Sequence, residues 1–188
     1  MTTISPSLTL AITAKSKAMK AAGEPVVSFG AGEPDFNTPQ HIIDAAKRAL
    51  DAGYTKYTPS SGLLSLRKAV AEKFRRDNGL DYEPSQIIVS NGAKHSIFNA
   101  CYALLEEGDE VIIPAPYWLT YPEVVKVCGG VPVYIEGKKE DKFKFTPADL
   151  ERAITPRTKM LIFNSPSNPT GAVYTESEVR AIAAVCEK

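Results

Sequence analysis

The sequence predicts an α/β fold with a mostly parallel, doubly wound sheet and helices on both of its faces. From Pro84 onward, short apolar runs of strand length alternate with segments of helical periodicity. Polar or glycine-rich turns join these runs to the helices that follow them. Crossovers of this kind are right-handed and bring successive strands into a parallel sheet that is covered on both sides.

The composition fits a folded domain and argues against several other classes of protein. Of the 188 residues, 44% are hydrophobic and 23% charged, which is enough apolar material for a core. The formal net charge is zero, so nothing indicates a nucleic-acid or membrane partner. Three cysteines without a CxxC pair indicate reduced thiols, and two histidines are too few for an ordinary zinc site. We therefore expect a soluble, cytoplasmic protein without a bound metal.

The first 80 residues predict three helices and one strand. Gly23, Gly53 and Gly79 stand where glycine often ends a helix, and Thr38 before Pro39 is typical of a helix start. A short apolar run after the first helix has the composition of a strand. The predicted elements are a helix over 10–22, a strand over 26–29, and helices over 39–53 and 63–79.

The remaining residues predict four strands and four helices. Thr146 before Pro147 is a typical N-cap, and Thr175 with Glu178 forms a capping box. The predicted strands cover 87–89, 111–113, 131–135 and 160–163; the predicted helices cover 94–105 and 121–128, one begins at Thr146, and one runs from Thr175 to Lys188. Because a doubly wound sheet normally continues after such a helix, we expect the chain to be incomplete.

Two polar turns and one aromatic residue follow predicted strands. The turn Ser90–Lys94 leads into a helix N-terminus, where free N–H groups and the helix dipole favour a phosphate, although an ordinary tight turn has the same look. Asn164–Gly171 holds two asparagines among prolines at a strand end, where open α/β sheets bind ligands, or is simply a turn-rich loop. Trp118, the only tryptophan, is a core residue or an aromatic wall. Together they suit a phosphorylated planar ring.

Four motifs resemble those of the class I aminotransferases, which are fold-type I enzymes dependent on pyridoxal 5'-phosphate. The motifs are Ala31–Phe36, Lys56–Pro59, Pro116–Trp118 and Asn164–Gly171, in this order and at compatible spacings. The resemblance extends over nearly the whole chain and is strongest to the bacterial aspartate aminotransferase branch. It implies that the α/β fold is the large domain of such an enzyme, present only in part.

The resemblance implies a cofactor role for five residues. The backbone of Ala93 and Lys94 would hold the phosphate of pyridoxal 5'-phosphate, with Gly92 permitting its close approach. Trp118 would stack on the pyridine ring, and the side-chain amide of Asn168 would donate to the phenolic oxygen of that ring. Trp118 and Asn168 would also contact the substrate.

Two further residues and two peptide bonds take their roles from the resemblance. Gly32 would offer its backbone N–H to the α-carboxylate of the substrate. Tyr57 would reach the cofactor phosphate of the neighbouring subunit, because family active sites lie at the interface of a homodimer. The Ala115–Pro116 and Asn168–Pro169 bonds are expected to be cis, as in the family.

The resemblance also implies what these 188 residues lack. The Schiff-base lysine lies in the second half of family members, so we assign no catalytic residue here and expect the isolated chain to be inactive. Residues 1–35 would form an N-terminal arm, a helix and part of the small domain, and residues 36–188 the first half of the large domain. Ser5 precedes Pro6 where some relatives that use prephenate have a basic residue, which puts prephenate activity in doubt.

The expected reaction is transfer of the amino group of L-aspartate to 2-oxoglutarate, so the partners would be small amino acids and 2-oxo acids. Two alternatives remain at this point. One is a non-catalytic half-domain that binds the cofactor phosphate and needs a complementary chain. The other is an aromatic or alanine aminotransferase, since the arginine that would distinguish these enzymes does not lie in this stretch.

Overall fold

The computed structural model describes residues 8–30, 32 and 34–188. The chain divides into two compact units, one that ends at Ser90 and one that runs from Asn91 to Lys188. Ser5–Ser7, at which the prephenate question arises, and Ala31 and Glu33 of the first family motif lie outside the described residues. None of the helices in the described ranges is both long and apolar enough to cross a membrane.

The unit that ends at Ser90 is helical. Its helices are α1 (Leu8–Ala21), α2 (Gln40–Asp51) and α3 (Leu64–Asn78), followed by a 3₁₀ turn at Pro84–Gln86. The three predicted helices are thus confirmed, with ends that differ by one or two residues. Gly79 adopts φ 65° and closes α3, as the sequence predicts. Arg67 links α3 to the residues before and after the helix, because its guanidinium donates to the carbonyl oxygens of Gly62 at 3.2 Å and Pro84 at 2.9 Å.

Two strand predictions and one cap prediction in this unit are wrong. The segments 26–29 and 87–89 form no strand in the described structure, and Phe29 and Ile88 are 95% and 68% exposed. An apolar segment forms a strand only where a neighbouring strand offers partners for its backbone hydrogen bonds. Among the described residues, neither of these two segments pairs with a strand. Helix α2 is preceded by Pro39 as its N-cap, without a side-chain cap from Thr38.

The unit from Asn91 to Lys188 contains a three-stranded parallel sheet. Strand β1 (Glu110–Ala115) lies at its centre, with β2 (Val131–Glu136) on one side and β3 (Thr158–Leu161) on the other. Four helices alternate with these strands along the chain: α4 (Ala93–Leu104), α5 (Thr120–Val127), α6 (Pro147–Ala153) and α7 (Glu176–Cys186). The capping boxes at Thr146 and Thr175 are both present. The predicted α/β order with parallel pairing is confirmed.

Successive residues of β1 build two separate cores, because side chains alternate across a strand. Val111 and Ile113 point to the face covered by α4 and α5, where they pack with Cys101, Leu105, Tyr121 and Val125. Ile112 points to the face covered by α6 and α7, where it packs with Ile135, Phe145, Leu150, Ile182 and Val185. All three β1 residues are 0% exposed. The central strand is therefore covered on both faces, as a doubly wound sheet requires.

Strand β3 begins two residues before the predicted apolar run. It pairs from Thr158, although the prediction began at Met160, and it ends at Leu161. Thr158 pairs with Glu110 although it is polar, because pairing depends on backbone groups, whereas an apolar run indicates burial. Lys159 lies at an irregularity in the register between this pair and Val111–Met160. Beyond the strand, the Ile162 N–H donates to the Ile112 carbonyl at 3.0 Å, which guides the chain along β1 towards Asn164.

Lys144 and Glu178 join the loop after β2 to the start of α7. The Lys144 ammonium donates to Glu178 Oε2 at 2.8 Å and Oε1 at 3.0 Å, and the Thr175 N–H donates to Oε2 at 2.6 Å. Lys144 and then this backbone N–H lower the pKa of Glu178 from 4.5 to about 2. The carboxylate thus serves both an ion pair and a helix cap.

The Glu178→Gln variant should be less stable than the parent protein in a pH-dependent way. Because the folded pKa lies below the ordinary value, the carboxylate contributes stability above pH 4.5 and loses it as the pH falls towards about 2. Urea unfolding followed at several pH values should show a constant difference at neutral pH that vanishes near pH 2. Glu176→Gln, which removes only an exposed carboxylate paired with Arg180, is the matched control. A difference that persists unchanged at low pH would contradict this linkage.

Candidate functional site

The start of α4 offers a set of free backbone donors. Its N-cap, Gly92, has φ 83° and ψ 171°, a conformation that is essentially restricted to glycine. The first N–H groups of a helix, here those of Ala93 and Lys94, have no intrahelical acceptor, and no side chain of the described residues caps this helix end. Free N–H groups and the positive end of the helix dipole together favour an anion at this point. This is where the sequence predicts the phosphate.

Trp118 lies three residues beyond the end of β1 and meets the start of α4. The Lys94 ammonium is 5.4 Å from the centroid of the Trp118 ring, within the range of a cation–π contact. The ring is half-buried and packs edge-on against Tyr121, with centroids 5.6 Å apart and planes at 85°. The structure thus brings together two of the predicted cofactor residues, which the sequence separates by a strand and most of a helix.

A stack of two tyrosines supports the segment that leads to Trp118. Tyr117 and Tyr134 lie parallel, with centroids 5.1 Å apart and planes at 13°. Burial and hydrogen bonding to Tyr117 raise the pKa of Tyr134 to about 12, so this phenol is protonated at neutral pH. The Ala115–Pro116 bond just before the stack is cis, as predicted. Tyr134 belongs to β2 and has no family motif around it, so sequence reasoning missed it.

The loop 164–171 is held by its own hydrogen bonds. The Asn168 N–H donates to Asn164 Oδ1 at 3.1 Å, and the Gly171 N–H donates to the Ser167 carbonyl at 2.8 Å. The Asn168–Pro169 bond is cis, as predicted, and the Ser165–Pro166 bond is also cis, which was not predicted. Asn168 is exposed, so its side-chain amide is accessible at the surface. The sequence places Asn164 in a family motif but predicts no role for it. In the structure, its side chain accepts the backbone N–H of Asn168.

Tyr174 anchors the far end of this loop and was also missed. The Tyr174 N–H donates to Ser165 Oγ at 3.1 Å, and its hydroxyl accepts from the Phe145 N–H at 2.9 Å. Its ring packs on Phe163, with centroids 4.9 Å apart. Burial raises the pKa of this phenol. These partners lie up to 29 positions away in sequence, so only the folded chain reveals them.

The segment that carries Trp118 and the loop Asn164–Gly171 lie at the same edge of the sheet. Strands β1 and β3 are parallel neighbours, so the Trp118 segment and the Asn164–Gly171 loop both leave from carboxyl ends. A small pocket between them, bounded by Tyr117, Tyr121 and Asn164 among others, measures about 20 Å³ and has room for about one water. Two larger grooves, of about 520 and 780 Å³, are lined by none of the predicted site residues.

Gly32 and Tyr57 belong to the unit that ends at Ser90, whereas the site residues above belong to the unit from Asn91 to Lys188. Gly32 is exposed, and a Cβ built on it meets no atom within 4 Å. Tyr57 is fully exposed, and no ring or hydrogen-bond contact of its side chain is found among the described residues. Both are accessible, and their predicted contacts with substrate and cofactor stay predictions.

Comparison with known proteins gives one consistent result. Residues 24–188 match the family model for aminotransferase class I and II. The chain is 60% identical to an aspartate aminotransferase of Geobacillus stearothermophilus over 97% of its own length and 47% of that protein. It is 55% identical to an aspartate/prephenate aminotransferase of Cereibacter sphaeroides, over 98% of this chain and 45% of the relative.

The fold of the chain is also similar to that of a solved structure. An aspartate aminotransferase of Thermus thermophilus, solved with maleate, superimposes with a TM-score of 0.95 at 49% identity, over 98% of this chain and 48% of that one. The chain therefore spans about half the length of the curated relatives it matches.

Proposed function

The chain belongs to the family of class I and II aminotransferases, and on this premise we propose that it forms the first half of an enzyme that transfers the amino group of L-aspartate to 2-oxoglutarate. The observation that carries the proposal is the meeting of Lys94 and Trp118, 5.4 Å apart, at the carboxyl edge of the sheet. The names of relatives at 55–60% identity support aspartate as the substrate. The maleate in the Thermus structure is a dicarboxylate of the same carbon length as aspartate.

Pyridoxal 5'-phosphate fits the donors at this edge. The free N–H groups of Ala93 and Lys94 would bind its phosphate, and the glycine-only backbone at Gly92 keeps a side chain out of the way. The half-buried face of Trp118 would stack on its ring, and the exposed amide of Asn168 would donate to its phenolic oxygen. When bound, the cofactor supplies an electron-withdrawing ring that stabilises the charge left by the departing α-proton of the substrate.

The remaining roles also belong to the proposal. Gly32 donates its N–H to the substrate α-carboxylate, and Tyr57 contributes to the site of a neighbouring subunit in a homodimer. Residues 1–35 form the arm and part of the small domain, and residues 36–188 the first half of the large domain. We place the enzyme in the cytoplasm. The lysine that bonds the cofactor is expected outside these 188 residues, so aspartate turnover by this chain alone would contradict that assignment.

Trp118→Ala should weaken the binding of pyridoxal 5'-phosphate by about 2- to 12-fold, since a stacked aromatic ring contributes about 0.5–1.5 kcal/mol. Equilibrium dialysis with absorbance detection measures this directly. Trp118→Phe should retain part of the affinity because it retains a flat ring. Tyr102→Ala is a control, since Tyr102 is exposed on α4 away from the site. Equal affinity for the parent and Trp118→Ala, or no binding by either, would contradict the proposed function.

Asn164→Ala should weaken cofactor binding only while the Asn168 side chain is present, because Asn164 acts by positioning Asn168. The Asn164 side-chain oxygen accepts the backbone N–H of Asn168, and one net hydrogen bond corresponds to about 0.5–1.5 kcal/mol, or about 2- to 12-fold in affinity. In a double-mutant cycle, Asn164→Ala should have no effect once Asn168 is alanine. Asn164→Asp keeps the acceptor and should keep the coupling. Equal losses in both backgrounds would mean that Asn164 acts on the fold and not through Asn168.

A further inference from the structure

The chain contains two Asn–Gly steps, Asn78–Gly79 and Asn91–Gly92. An asparagine followed by glycine is open to attack by the next backbone nitrogen on its own side-chain carbonyl, because glycine has no Cβ to obstruct the approach. The attack requires a backbone nitrogen that can give up its proton and a side chain that can turn towards it. The structure meets both requirements at Asn91–Gly92 and neither of them at Asn78–Gly79.

Asn78–Gly79 is held by hydrogen bonds at both reacting groups. Asn78 is the last residue of α3, and the Gly79 N–H donates to the Arg75 carbonyl at 3.2 Å. The Asn78 side-chain oxygen accepts from the Lys73 ammonium at 2.7 Å. The nitrogen is therefore occupied, and the side chain is kept in place by a residue of the preceding helical turns.

At Asn91–Gly92, neither reacting group is held by any residue in the described ranges. Asn91 and Gly92 are exposed, and within the described part of the chain neither the Gly92 N–H nor the Asn91 side-chain amide has a hydrogen-bond partner. A Cβ built at Gly92 meets nothing within 4 Å, so water has access. The Asn91 backbone N–H donates to His95 Nδ1 at 3.1 Å, and the Gly92 carbonyl accepts the Ser96 N–H at 3.3 Å. Neither bond involves a reacting group, so the Asn91 side chain is free to turn.

We propose that Asn91 is a modification site that deamidates spontaneously in the folded protein, while Asn78 is protected. The Gly92 nitrogen forms a bond to Asn91 Cγ and closes a five-membered succinimide. The bond from Cγ to the side-chain nitrogen breaks, and that nitrogen leaves as ammonia with the proton lost from Gly92. Water then opens the ring at either carbonyl and yields aspartate or isoaspartate. No oxidant or reductant takes part.

The modification adds a negative charge directly before α4. This second step rests on the proposed function, which puts the cofactor phosphate at the same helix N-terminus. A carboxylate here occupies the favourable end of the dipole and repels a phosphate. Isoaspartate also lengthens the backbone and displaces the N–H groups of Ala93 and Lys94. Deamidated protein should therefore bind the cofactor more weakly, and a bound phosphate should in turn protect Asn91.

Peptide mapping after incubation at mildly alkaline pH tests the first step. Cleavage after Arg76 and Lys94 releases both asparagines in one peptide, residues 77–94, so fragment masses give their relative deamidation directly. Asn91 should react at least about tenfold faster than Asn78, a difference of about 1.36 kcal/mol in activation free energy. In urea-unfolded chain the two rates should become similar. Equal rates in the folded chain, or an intact Asn91 under conditions that deamidate the unfolded chain, would overturn the proposal.

Ligand protection separates this inference from the proposed function. Pyridoxine 5'-phosphate, which lacks the aldehyde and cannot modify lysines, should slow deamidation of Asn91 and leave Asn78 unchanged. Pyridoxine without the phosphate is the matched control and should not protect. Fast deamidation of Asn91 without protection by the phosphate ester would support the modification site and contradict the phosphate position that the proposed function assigns.

Discussion

Replacing Ile112 with alanine is expected to lower the free energy of unfolding of the 91–188 unit by about 2–5 kcal/mol. Ile112 is 0% exposed at the centre of β1 and packs with Phe145, Leu150 and Ile182 on the face covered by α6 and α7. Its removal leaves a cavity between a strand paired on both sides and two helices, where little can move to fill the space. Trp118, the only tryptophan, lies in this unit and reports its unfolding by fluorescence in urea.

Ile154→Ala is the matched control for this change. Ile154 belongs to the same unit but is 42% exposed at the end of α6, so its truncation should cost clearly less. The comparison holds the chemistry constant and varies only burial. Equal losses for the two variants would show that β1 is not the centre of the core.

Replacing Gly137 with alanine should destabilise the protein by about 1–3 kcal/mol and also disturb the Trp118 segment. A Cβ at Gly137 would clash with the Phe143 carbonyl oxygen and lie 2.9 Å from the Ala115 carbonyl oxygen, both of which are backbone atoms. The Gly137 N–H donates to the same Ala115 oxygen at 2.8 Å. Relief of the clash must therefore shift either the loop after β2 or the end of β1, from which Trp118 follows.

Trp118 fluorescence and cofactor affinity are the two measurements for Gly137→Ala. The emission maximum in the folded state should shift, and pyridoxal 5'-phosphate should bind more weakly than to the parent chain. Glu136→Ala, at an exposed neighbouring position, places an alanine beside the same loop without adding atoms and should change neither. Unchanged emission together with lower stability would mean that the loop moves and the Trp118 segment does not.

Local signals sufficed for the helices and for most of the sheet. Periodicity, capping boxes and terminal glycines act over a few residues, and every predicted helix is present in the described structure. The same kind of signal failed at 26–29 and 87–89, where no strand forms among the described residues and Phe29 and Ile88 are exposed, although Ile87 is buried. Glu110 illustrates the opposite case. A charged residue is expected at the surface, yet Glu110 is 5% exposed because Thr155 and Arg157 donate to its carboxylate across the sheet.

The candidate site divides in the same way. The sequence motifs identify Gly92, Lys94, Trp118 and Asn168, because each belongs to a short pattern at a strand or helix end. The residues that hold them were not found, since Tyr134 and Tyr174 act through partners far away in the chain. A residue that supports a site carries no pattern of its own and is defined only by its contacts.

By itself, the sequence determined the fold class, the order of the helices and sheet strands from residue 93 onward, the family and the residues that the family motifs name. These depend on local conformational preference and on matching patterns, which can be read without coordinates. The tertiary structure alone decided which apolar runs become strands and that Lys94 lies against the Trp118 ring. It also decided that the Asn78 side chain is held by Lys73, whereas that of Asn91 has no partner in the part of the chain that the structure describes. The physical reason is that hydrogen-bond partners, burial and ring contacts are properties of pairs of residues, and the chain sets those pairs only when it folds.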